Sequence, residues 1–80
     1  MPTVKIIGRF RFHFYSADRN EPPPIHVSTP DGEAKFWLRP MSIAFARKLN
    51  RKELSRATHL VHTYQEEFLK AWHEFFQDEP

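Results

Sequence analysis

The sequence predicts an α+β fold: a small antiparallel sheet of four to five strands with one long C-terminal helix packed on one face. Three observations carry that prediction. Apolar and polar residues alternate through the first half, turn-forming residues punctuate it, and an apolar three-and-four spacing runs unbroken through the last third. At 80 residues the chain makes one domain, residues 1–80. A chain this short buries only ~60% of the surface it exposes unfolded. Eight Phe, two Trp and two Tyr compensate by supplying large side chains to the core.

Residues 4–7 and 9–16 are rich in β-branched and aromatic types. Phe10, Phe12 and Phe14 alternate with Arg9, Arg11, His13 and Tyr15, the pattern of a strand with one buried face. Gly8 interrupts the run, which predicts a tight hairpin through Ile7-Gly8-Arg9 with Ile6 opposite Phe10. Val4 and Ile6 then share the face of the phenylalanines. Ser16 to Pro24 reads as a loop, because Asp18, Asn20 and the run Pro22 to Pro24 oppose both helix and central strand. Residues 25–29 form the next strand and Pro30-Asp31-Gly32 the turn after it. Residues 33–38 return as a strand with Ala34, Phe36 and Leu38 inward and Glu33, Lys35 and Trp37 outward. After Pro40, the alternation of Met41, Ile43 and Phe45 predicts a short edge strand, with a single helical turn as the alternative.

Asn50 is a good N-cap, Glu53 completes a capping box, and Leu49 can touch Leu54 as a hydrophobic staple. Leu54, Ala57, Val61, Tyr64, Phe68, Ala71, Trp72 and Phe75 then mark one helical face. No glycine or proline interrupts residues 51–77, so the spacing predicts one helix ~40 Å long at ~1.5 Å per residue.

One helix covers one face of a sheet. It is expected to pack on Val4, Ile6, Phe10, Phe12, Phe14, Ala34, Phe36 and Leu38. The opposite face then holds Lys5, Arg9, Arg11, His13, Tyr15, Lys35 and Trp37, joined by His26 and Ser28 if their strand pairs in phase. An antiparallel sheet often keeps one wetted face, which is the plain reading. The functional reading makes Arg9, Arg11, His13, Tyr15, Lys35 and Trp37 a binding surface. Aromatic rings stack bases while Lys and Arg neutralise phosphates, and Trp, Tyr and Arg are also enriched at protein interfaces.

Formal net charge is +2. Residues 1–49 carry eight Lys/Arg against four Asp/Glu, and residues 50–80 carry four against six. A basic strand region joined to an acidic helix suits a nucleic acid or an acidic protein; a mixed, solvated surface is the plain alternative. The absence of cysteine excludes disulfides and thiolate metal sites. No apolar run approaches the ~20 residues of a membrane span, and Met1-Pro2-Thr3-Val4-Lys5 lacks the apolar stretch of a signal peptide. The expectation is a cytoplasmic protein with no membrane partner.

Asp18 and Glu21 precede His26, and two acids beside a histidine are a candidate for general acid–base catalysis or a weak metal site. Turn formation by Asp18 and an ordinary sheet position for His26 explain the same residues. In the helix, His59, His62, Glu66 and His73 lack the His-Glu-x-x-His order of a zinc protease and suit a solvated face. Ser16, Ser28, Ser42 and Ser55 sit in no nucleophile-elbow context, and two glycines do not make a phosphate loop. No metal and no cofactor is expected.

The stretch MPTVKIIGRFRFHFYSADRNEPPPIHV, then EAKFWL, RKEL and EEFLKAWHEFF, resembles the bacterial family called domain of unknown function 4160, from Pro2 to about Phe76. The resemblance implies a small cytosolic protein, encoded beside a second small protein of the family called domain of unknown function 2442, in a pairing like a toxin–antitoxin module. It assigns no catalytic residue. Relatives read Glu-Pro-Pro-His, an aliphatic residue, then His-Val; this chain has Pro24 where they have the first histidine and keeps only His26. Asp18, Glu21, His26, Lys35 and Trp37 are the remaining matches to test.

Three expectations follow. The first is a toxin-like interaction protein that binds a small, antitoxin-like partner, and RNA, through the exposed basic and aromatic sheet face. The second is a ribonuclease-type toxin using His26 with Asp18 or Glu21, and Arg11 or Lys35 on phosphate. The third is a structural or regulatory homodimer.

Overall fold

Gly8 sets the phase of the first hairpin. In the computed structural model, which describes residues 3–76, strands β1 (Thr3–Ile7) and β2 (Phe10–His13) flank a two-residue turn at Gly8 and Arg9, with Gly8 at φ +58°. Glycine takes that left-handed conformation without a Cβ clash, at the first central position of the turn. The shorter turn pairs Ile7 with Phe10, Ile6 with Arg11 and Lys5 with Phe12. One residue of slip exchanges the faces. Ile6 therefore lies on the open side, 66% exposed, and Lys5 on the helix side, the reverse of the expectation from alternation. A register shift between Thr3 and Lys5 lets Val4 still pack against the core.

Strands β3 (Pro24–Ser28), β4 (Glu33–Leu38) and β5 (Met41–Arg47) complete a five-stranded antiparallel meander in the order β1-β2-β3-β4-β5. The segment after Pro40 is a strand, not a helical turn. Gly32 closes the β3–β4 turn where a Cβ would strike the carbonyl oxygens of Arg47 and Lys48, so the turn rests directly on the exit from β5. Phe12, Phe14, Ile25, Val27, Ala34, Phe36 and Leu38 are buried beneath the helices.

The expected single helix is two: α1 (Arg51–Thr63) and α2 (Gln65–Phe76), separated at Tyr64. Residue 77, to which the sequence extends the helix, lies outside the described residues. Proline and glycine play no part in the break. Thr58 and Thr63 donate their hydroxyls back to the carbonyls of Leu54 and His59, a contact that bends helices. Gln65 donates its side-chain amide to the carbonyl of Leu38, tying the start of α2 to the sheet. Ala57, Leu60, Val61, Phe68 and Leu69 form the buried stripe across both helices. The Asn50 cap and its reciprocal bond with Glu53 are present as the sequence predicts.

Candidate functional site

The β2–β3 connection does not leave the open sheet face clear. A 3-10 turn at Ser16–Asn20 folds back over it and carries Asp18 onto β3. Asp18 is 4% exposed and its carboxylate accepts from the Tyr15 backbone N–H at 2.9 Å and from His26 Nε2 at 3.1 Å. His13 and His26 are cross-strand partners, and their rings stack 5.6 Å apart. Tyr15 stands edge-on to both, 5.1 Å from His13 and 4.5 Å from His26.

These contacts fix the tautomers. His13 Nδ1 faces the Arg11 carbonyl at 3.3 Å, which only accepts, so Nδ1 carries the proton and Nε2 accepts from the Tyr15 hydroxyl at 3.3 Å. Burial pushes the His13 pKa down, so the ring is held neutral. His26 donates its Nε2 proton to Asp18, which leaves Nδ1 as the basic nitrogen. An Asp-oriented histidine of this kind is chemically able to move a proton. Its ring, however, is wedged against His13 and Tyr15 with little exposure.

Lys35 is cross-strand to His26, on the same face. Its ammonium lies 2.7 Å from Glu21 and 4.5 Å from the Trp37 ring, so the lysine is held by the chain itself. Arg9 is at the hairpin tip, bonded to Asp31 at 2.6 Å and to Glu53 of α1 at 3.2 Å, and does not join the open face. Of the six expected binding residues, then, His13 is buried, Lys35 is engaged, Arg9 is elsewhere, and Arg11, Tyr15 and Trp37 remain reachable. Asp18 and His26 do bond to each other at that corner, while Glu21 turns its carboxylate to Lys35 beside them. Among the described residues no group of three or more His, Cys, Asp or Glu is placed to hold a metal.

Two exposed apolar side chains, Ile43 and Phe45, lie at the other edge. A register shift between Lys35 and Phe36 leaves Ala44 as an extra residue of β5, with Phe45 opposite Lys35 and Ile43 opposite Phe36. The bulge thereby sends Phe45 to the open face and Ile43 to the helix side. Both stay exposed, at 46% and 48%, while Met41 at the start of the strand packs against the core. Sequence alternation finds the strand but misses the bulge and hence the two-sided exposure.

A family model described as Domain of unknown function (DUF4160) matches residues 9–73. No curated protein and no solved structure matches the chain significantly. Among the described residues no helix is long and apolar enough to cross a membrane.

Proposed function

The chain belongs to the family of domain of unknown function 4160, and from that premise we propose that it is a small protein-binding module that receives a partner along β5. The reading keeps the expected toxin-like role beside a small, nearby-encoded partner and moves the contact surface from the basic face to the sheet edge. One observation carries it: β5 is a terminal strand whose residues Ser42 to Arg47 are all exposed, with Ile43 and Phe45 projecting on opposite sides. An unpaired, apolar strand edge is a template for strand addition. A partner strand paired there would cover Ile43 on one side and Phe45 on the other.

Charge favours a different chain over a second copy. Arg39 precedes β5 and Arg47 and Lys48 end it. Antiparallel self-pairing brings the Arg39 end of one copy against the Arg47 end of the other. Glu66 and Glu33 offset these arginines in part, but Lys48 beside Arg47 adds a further cation, and like charges opposed across strands destabilise the pair. A partner strand flanked by carboxylates meets no such penalty.

Co-expression with the product of the adjacent gene tests this. A stable complex is expected at micromolar concentration, and Ile43→Glu with Phe45→Glu should weaken it by at least about 2 kcal/mol, roughly 30-fold. Separate elution of the two proteins removes the proposal, and a concentration-dependent dimer of this chain alone would assign the edge to a second copy. The Asp18–His26 bond supports a second reading, a ribonuclease-type toxin with His26 as base. Growth arrest relieved by His26→Gln, with the fold retained, would favour it over the binding module.

A further inference from the structure

The front of α1 is as cationic as the β5 edge is apolar. Arg51, Ser55 and His59 lie one turn apart in one row, Lys52 and Arg56 in the next, and all five are exposed. They line a shallow depression, and Lys52 and Arg56 continue into a second one beside Phe10. Lys48 stands just before the helix, exposed. Five cations elsewhere sit on carboxylates, Lys5 on Glu67, Arg9 on Asp31 and Glu53, Lys35 on Glu21, Arg39 on Glu66 and Arg47 on Glu33, while, of the other described cations, Arg11 and Lys70 do not. Among the described residues, Lys48, Arg51, Lys52 and Arg56 have no such partner. Glu53, the one acid among them, is committed to Arg9 and to the helix cap. Arg51 and Lys52 also occupy the first two positions of α1, where the helix dipole disfavours cations and favours anions. The arrangement is unfavourable for an empty surface and favourable beneath a bound polyanion.

We infer that the first two turns of α1 bind the phosphate backbone of a nucleic acid through Lys48, Arg51, Lys52 and Arg56, with Ser55 and His59 as further hydrogen-bond donors. A row of point charges along a rod matches a repeating anion, and hydroxyl and imidazole groups are usual phosphate contacts. A membrane surface is a poorer fit, because an interfacial helix needs a free apolar face and that of α1 is buried through Ala57, Leu60 and Val61. A protein interface is centred on large apolar and aromatic side chains, and these six positions carry only the His59 imidazole. With the His59 imidazole as the one ring of this front, a single strand, whose bases bind by successive stacking, is also the poorer fit. The occupant is therefore a duplex, held by its backbone.

The inference is independent of the β5 proposal, and its test separates them. Fluorescence anisotropy is measured with labelled duplex DNA, duplex RNA and single-stranded RNA between about 50 and 200 mM salt. Four phosphate contacts predict a slope of log K against log salt of about −3.6 on a duplex. Arg51→Gln with Arg56→Gln should halve that slope, whereas the charge-matched Arg39→Gln with Lys70→Gln and the β5 pair Ile43→Glu with Phe45→Glu should leave it unchanged. Should the Arg51/Arg56 variant not fold, Lys52→Gln alone should lower the slope by about 1. No binding at the lowest salt, equal loss in the charge-matched control, tighter binding of single-stranded RNA than of either duplex, or polyglutamate binding as tightly as duplex would each overturn the inference.

Discussion

Two regions of this molecule treat their polar and apolar groups in opposite ways. At the β2–β3 corner, Asp18, His26, His13 and Tyr15 bond and stack with one another, and Glu21 holds Lys35. At the β5–α1 edge, Ile43 and Phe45 are exposed and Lys48, Arg51, Lys52 and Arg56 face solvent. The corner contains the residues that look catalytic in sequence, yet its bonding capacity is largely spent within the chain. The edge contains ordinary-looking residues whose interactions are unmet. The comparison teaches that a cluster of titratable residues marks a fastening as readily as a site, and that unmet surface is the better guide to a partner.

The contrast is sharpest in stability. Asp18→Ala leaves the part-buried Tyr15 N–H and the buried His26 ring without their acceptor, and should cost about 3 kcal/mol in urea unfolding. Asp18→Asn keeps a carbonyl acceptor and should cost less. Phe45→Glu and Ile43→Glu change side chains already half in water and should stay within about ±0.5 kcal/mol. If Asp18→Ala unfolds the protein no more easily than Phe45→Glu, the corner is no fastening and the comparison fails.

Acid should loosen the same corner. Burial holds the native pKa of His13 below its ordinary 6.5, so the folded ring resists protonation while the unfolded one accepts it. Below that ordinary value the unfolded state binds more protons, and stability falls as pH falls until the native ring also titrates. Unfolding free energy measured from pH 7 downward should decline through this range, and His13→Gln should flatten the decline. A profile identical in parent and variant would show that His13 titrates alike in both states.

Much of this was legible in the sequence. Alternation and turn residues locate all five strands, and Asn50 with Glu53 locates the start of α1. What fails is phase. One residue more or fewer in a turn or bulge, at Gly8 and at Ala44, exchanges the faces of Ile6 and Phe45, and alternation alone does not encode it. The break at Tyr64 falls where Thr63 bonds back to His59 and Gln65 reaches Leu38, contacts that apolar periodicity does not register. The cover over the open face depends on where an irregular loop lands. The cationic front was readable in principle, since residues 47–56 carry five Lys/Arg against one Glu. Totals over halves of the chain hide that run.

Lys48 gives the smallest effect and joins the two sides of the argument. Its φ is +59°, a left-handed conformation that costs a residue with a Cβ more than it costs glycine. Lys48→Gly removes that strain, partly offset by the greater freedom of glycine in the unfolded chain, so stability should rise by about 0.5–1 kcal/mol. The same change deletes one of the four cations at the front of α1 and should lower the salt slope of duplex binding by about 1. A variant more stable yet weaker in binding is what a residue kept for its charge, against its backbone preference, must produce. If stability rises while the slope stays fixed, Lys48 lies outside the contact and the cationic surface begins at Arg51.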